Sequence, residues 1–174
     1  MDMARKIILL LVVTITVPSC AVKTKYNLTG LSGEAKTFQV NYFQNKSSQN
    51  PGSTFDPGLD RDFTLALQDL IVNQTGLNLT RSRGDLLYEG EIIEYRVSPT
   101  TASANQRAAQ NRLTISVQVR FLNNMLERSN FEKRFSHFYD YDANSQLASV
   151  KNEAHKAIFE RLTQDIFNES LTNW

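Results

Sequence analysis

A single cysteine, Cys20, is all that the 174-residue chain contains, so no disulfide can close within it. Histidine is nearly absent too: His137 and His155 are the only two, and neither sits in a metal-binding spacing such as HExxH. With no second thiol and no acidic cluster, no metal or other cofactor is implied. The GxSxG elbow and Gly-rich phosphate loop are missing. What remains for catalysis is a Ser/His/Asp site assembled from distant residues, and the chain is read as a non-enzyme. An excess of one charge is also missing. The 19 basic and 18 acidic residues leave a formal charge of +1, without the basic balance that nucleic acid demands. No internal repeat stands out.

What is present begins at the N-terminus. Arg5 and Lys6 precede "IILLLVVTITV", an uncharged run too short to span a bilayer and suited to a cleaved export signal. Cys20 follows directly, in "VPSC", which resembles a bacterial lipobox. Acylation of Cys20 is the favoured reading. Plain secretion, an uncleaved anchor and an intermolecular disulfide are the alternatives. Each buried acyl methylene adds about 0.8 kcal/mol of membrane affinity, so several chains would hold the domain at a bilayer without spanning it. Ala21 stands where an aspartate would favour inner-membrane retention, which points to the outer membrane. Removing residues 1–19 takes away Asp2, Arg5 and Lys6 and leaves 17 of the 19 basic and 17 of the 18 acidic residues, a formal charge of zero. The expected organisation is a signal peptide over 1–19, an acylated tether over 20–35 and one domain over 36–174.

Periodicity supplies the fold. In "KTFQVNYF" Phe38, Val40 and Tyr42 alternate with polar residues as in a half-buried strand, and a turn-rich loop with Pro51, Gly52, Pro57 and Gly58 follows. Leu59, Phe63, Ala66, Leu67, Leu70 and Ile71 recur at helical spacing, with Asp60 and Asp62 in the first turn and Gly76 as a stop. In "LLYEGEIIEYRVSP" the apolar parity shifts around Gly90, as a bulge or close backbone approach there would cause. Leu113, Ile115, Val117, Val119 and Phe121 give the clearest strand. "NFEKRFSHFYDYD" reads as an edge strand, because Lys133 and His137 share parity with Phe131, Phe135 and Tyr139. A final amphipathic helix over 144–173 carries Leu147, Val150, Ala154, Ile158, Leu162 and Ile166. The expected class is α+β, a two-layer α/β sandwich. Its four-stranded sheet has two helices on one face, in the order β-α-β-β-β-α, and its other face is open.

On that open face Arg96 is expected beside Arg112, Thr114, Ser116, Gln118 and Arg120. Between Ile92 and Arg120 the ionised residues are Arg96, Arg107, Arg112 and Arg120 against Glu94 alone. Guanidinium suits phosphate, and like charges across a hairpin call for an anion between them. The alternative is that these arginines are solvated or pair with scattered glutamates. The connection "SPTTASANQRAAQ" is long for a hairpin and is a candidate partner contact.

The segments "YNLTG", "AKTFQVNYFQN", "GDLLYEGEIIEYRVSP", "AAQNRLTISVQVRF", "FEKRFSHFYDYD" and "DIFNESLTNW", in that order, resemble the LptE family of lipopolysaccharide-assembly lipoproteins. The resemblance implies an outer-membrane lipoprotein that plugs the β-barrel protein LptD and assists insertion of lipopolysaccharide into the outer leaflet. It also implies two helices on a four-stranded sheet and lipopolysaccharide binding by basic side chains. Arg96, Arg107, Arg112 and Arg120 are the candidates to meet lipid A phosphates or acids lining the barrel. The other reading is a different outer-membrane lipoprotein module, holding a glycan or serving another envelope assembly.

Overall fold

The computed structural model describes residues 35–100 and 110–172. The signal segment 1–19, Cys20 with the tether up to residue 34, Arg107 with the tip of the 98–110 connection, and residues 173–174 lie outside them.

Three long antiparallel strands, β4 (Leu86–Thr100), β5 (Gln110–Asn123) and β6 (Phe131–Asp142), carry the sheet. On the far side of β4 lie β1 (Thr37–Val40), parallel to it, and then β3 (Asn78–Leu79), parallel to β1. β2 (Gln44–Asn45) pairs with β4 further along. The sheet is therefore mixed, with path β3-β1-β4-β5-β6 and β2 beside it. Helix α1 (Leu59–Gln74) follows β2, and α2 (Leu147–Phe167) follows β6 and runs on into a π-helical turn, Asn168–Thr172. The expected four strands in the order β-α-β-β-β-α are corrected to six in the order β-β-α-β-β-β-β-α.

Both additional strands have a physical cause. "KTFQVNYF" is not one strand: the chain breaks after Val40, so Phe43 enters the core fully buried while Tyr42 is 58% exposed. A two-residue strand leaves no period to read. β3 is defined only by backbone bonds to its neighbour, from Asn78 N to the Lys36 carbonyl (3.0 Å) and from Thr80 N to that of Phe38 (2.8 Å). Asp85 locks the start of β1. Its carboxylate accepts from Lys36 N (2.8 Å), Thr37 N (2.9 Å) and the Thr37 hydroxyl (2.9 Å), and these bonds hold its pKa below the ordinary carboxylate value.

One core fills the space between a sheet face and both helices. α1 contributes Leu59, Phe63, Leu67 and Ile71; α2 contributes Ala154, Ile158, Phe159, Leu162, Ile166 and Phe167. The five alternating apolar residues of β5 are all fully buried beneath them. Each such side chain contributes roughly 1.5–3 kcal/mol of burial. Edge-on aromatic contacts tie the layers together, Phe43 to Phe63 at 5.0 Å and Phe63 to Phe159 at 5.5 Å. Tyr88 is buried with its hydroxyl 2.9 Å from that of Ser170 in the π-helical turn. Among the described residues no helix is long and apolar enough to cross a membrane.

β6 lies at the sheet edge, and its misplaced charges have partners. On the helix side Lys133 Nζ meets Glu169 at 2.9 Å and His137 Nε2 meets Asp165 at 2.7 Å. The parity shift in β4 falls elsewhere than at Gly90. Ile92 opposes Val117 and Glu94 opposes Ser116, so Ile93 is the extra residue, and Ile92 faces the core fully buried. Gly90 answers to the other cause, close approach. A Cβ there would lie 2.1 Å from the Gln118 carbonyl oxygen and 2.8 Å from Phe43 Cε1.

Because the nearer atom is backbone and cannot swing away, Gly90→Ala is expected to lower stability by about 1–3 kcal/mol. Gly76→Ala, where a Cβ meets nothing within 4 Å, should be neutral or slightly stabilising. Urea unfolding midpoints measure both.

Candidate functional site

The sheet face turned away from the helices is built by the β4–β5–β6 register. Arg96 stands opposite Thr114, Ser98 opposite Arg112 and Glu89 opposite Arg120, while β6 brings Asp140 to Arg112, Ser136 to Ser116 and Glu132 to Arg120. The bulge at Ile93 decides who is present. Before it Glu89 and Glu91 point outward; after it Glu94 and Arg96 do.

Glu94 is the hub. Its side chain is only 7% exposed, with Arg96 Nη2 at 2.8 Å from one oxygen. Arg134 Nη2 (2.5 Å) and the Ser116 hydroxyl (2.8 Å) both donate to the other. Ser116 also bonds Ser136 across the strands at 2.9 Å. Arg112 grips Asp140 with two parallel bonds, 2.7 and 2.8 Å, while its guanidinium lies 3.6 Å over the Phe138 ring. That grip holds the Asp140 carboxyl below its usual pKa. Arg120 reaches Glu89 at 3.0 Å and Glu132 at 3.9 Å, and Lys46 reaches Glu91 at 2.5 Å. The face thus interleaves five cations with five carboxylates and carries no net charge among these residues.

The model of the LptE family, described as lipopolysaccharide-assembly, matches residues 35–170. The chain belongs to the LptE family. Its fold is similar to that of the hypothetical protein CT253 from Chlamydia trachomatis, at 10% identity and a TM-score of 0.52, over 80% of this chain and 99% of that one. Weaker likenesses include a putative lipoprotein from Caulobacter crescentus (15% identity, 83% and 92% covered, TM-score 0.46). Another is the rare lipoprotein B from Shewanella oneidensis (12% identity, 75% and 89% covered, TM-score 0.40). No curated protein matches the chain in sequence.

In this LptE-family chain the structure brings Arg96, Arg112 and Arg120 onto one face as expected, but each arrives with an acid. Arg107 and Cys20 lie outside the described residues. Charge counting within 92–120 missed Arg134, Asp140 and Glu89 because they come from β6 and from upstream of the bulge. The antiparallel pairing of "NRLTISVQVRF" with "FEKRFSHFYDYD" was the signal that held them. Among the described residues neither histidine bonds a serine or threonine hydroxyl. His137 meets Asp165, and the buried His155 meets the Tyr95 hydroxyl at 3.1 Å. Among the described residues no group of three His, Cys, Asp or Glu is placed to hold a metal.

Replacing Glu94 with Gln removes the charge between two guanidiniums without changing the shape. The expected loss is about 1–3 kcal/mol, read from the urea midpoint. Glu89→Gln, at an exposed pair, should cost about 1 kcal/mol or less.

His155 generates a pH dependence. Burial pushes its pKa below the ordinary histidine value, against the attraction of Asp56 from the loop before α1 and Asp62 from α1, and with the repulsion of Lys151 from its own helix. The folded state therefore binds this proton less readily than the unfolded one. Stability should be full above about pH 6.5 and fall as the pH drops through that value, then level off below the folded-state pKa. His155→Gln should remove this step. It should leave the separate, more acidic loss that the lowered pKa values of Asp85 and Asp140 create below about pH 4. Unfolding midpoints across a pH series distinguish the two.

Proposed function

We propose that this chain is an outer-membrane lipoprotein, anchored through acylated Cys20, that seats in an LptD-type β-barrel and assists insertion of lipopolysaccharide into the outer leaflet. The observation that carries the reading is the family match over residues 35–170, joined to the lipobox-like "VPSC" and to Ala21 after it. The open sheet face is the surface offered to the barrel and its cargo. Arg96, Arg112 and Arg120, with Arg107 on the adjoining connection, contact lipid A phosphates or acids of the barrel lumen. The three strand arginines keep 36–56% of their side-chain surface exposed, so an arriving phosphate shares a guanidinium edge with the resident carboxylate instead of meeting a bare cation. The role is binding and positioning, with no chemical step assigned to any residue.

The test is retrieval of the tagged, full-length acylated chain from outer membranes. A barrel protein and lipopolysaccharide are expected to come with it, and recovery of the chain with neither would overturn the reading. The same retrieval with Arg96, Arg112 and Arg120 all changed to Gln should carry severalfold less lipopolysaccharide, with a flatter dependence on salt. Unchanged lipopolysaccharide in a folded triple variant removes the arginines from the site.

A further inference from the structure

A hollow of about 460 Å³ opens on the sheet's free face beside Gly90, where the β1–β2 link runs alongside β4; its walls include Tyr42, Gln44, Glu91, Gln118, Arg120 and Glu132. That volume lies in the range of small-molecule sites, about 300–1,000 Å³. We propose that this hollow is a saccharide subsite, taking a hydroxyl-rich sugar of the lipopolysaccharide carbohydrate that adjoins the phosphate contact of Arg120. The assignment to that source rests on the function proposed above.

Charge argues first. Glu89, Glu91 and Glu132 line the hollow against Arg120 alone, with Lys46 already committed to Glu91, so a phosphate entering it meets more carboxylate than guanidinium. A neutral ligand that donates hydrogen bonds faces no such opposition. Tyr42 argues second. The break between β1 and β2 turns its neighbour Phe43 into the core and leaves the Tyr42 ring 58% exposed at the hollow, with Asp60 near its hydroxyl. The negative face of an aromatic ring attracts the C–H face of a pyranose, while the surrounding groups reach the hydroxyls. Spare hydrogen-bonding capacity argues third. Among the described residues the Gln44 side-chain amide has no hydrogen-bond partner and that of Gln118 has a single 3.4 Å bond to Glu132, while Lys46 occupies one oxygen of Glu91. Amides and carboxylates together supply the mixed donors and acceptors that vicinal hydroxyls need.

The experiment titrates the full acylated chain in detergent with three probes: dephosphorylated core oligosaccharide freed of lipid A, intact lipopolysaccharide, and dextran. Calorimetry is expected to show oligosaccharide binding that is insensitive to salt. Tyr42→Ala and Gln44→Ala should each weaken it at least tenfold, while Leu65→Ala, at an exposed position on α1, leaves it unchanged. Both substitutions are at exposed positions, and an unaltered thermal midpoint confirms folding. Absence of oligosaccharide binding at millimolar concentration, or an unchanged affinity in Tyr42→Ala, overturns the subsite. Dextran binding as tightly as the core oligosaccharide overturns its assignment to lipopolysaccharide sugar. If intact lipopolysaccharide and the barrel are retained while the oligosaccharide is not, the subsite fails and the proposed function stands. If the wild-type chain retains neither, the function itself fails.

Discussion

The fourteen-rung pairing of β4 with β5 is the constraint on which the rest depends. Each rung fixes one side chain toward the helices and its neighbours toward solvent, so a single ladder sets both the core and the open face. Without the extra residue at Ile93 the two requirements conflict: keeping Ile92 inward would also turn Glu94 inward and Tyr95 outward. The bulge resolves this locally. Ile92 and Tyr95 are both buried, and Glu94 joins Arg96 and Arg134 on the far side. Gly90, two positions before the core-facing Ile92, lets the same strands approach closely enough for the ladder to continue.

Much of this was legible in the sequence where a period extends over several residues. β5 alternates cleanly because its inner face is covered by helices along its length, and α1 and α2 show their apolar stripes for the same reason. Elements of two residues leave no such trace, so β2 and β3 were invisible and the strand beginning at Thr37 was extended through Tyr42. The bulge was sensed but assigned to the glycine, because a glycine in a strand pattern signals either a bulge or a close approach. Here the two devices occupy different residues. Lys133 and His137 looked out of place in β6 because their partners, Glu169 and Asp165, come from the far end of the chain.

For the candidate site the limit was charge pairing across long separations. The arginines were identifiable as a group because three of them lie on adjacent strands. Their acids were not, since Asp140 is 28 residues from Arg112 and Arg134 is 40 from Glu94. A segment-by-segment charge count sees an excess of guanidinium; the folded sheet sees none. Arg96, Arg112 and Arg120 each pair with a carboxylate, and Glu94 is shared between Arg96 and Arg134 of β6.

A self-neutralised face has a consequence for burial against another protein. An isolated guanidinium carried from water into a contact loses hydration worth several kcal/mol, and a partner must supply an acid in the right place to offset it. Pairs already formed within the sheet bring much of that compensation with them. The Glu94 hub is largely withdrawn from water before any partner arrives, and the Arg112–Asp140 pair is held by two bonds and an aromatic ring. Such a face keeps its charges partly hydrated while free. It can then be covered without requiring one matching charge per arginine. Selectivity must come from the few groups left uncommitted among the described residues, which directs attention to the exposed Tyr42 ring and the Gln44 amide at the acidic end of the sheet.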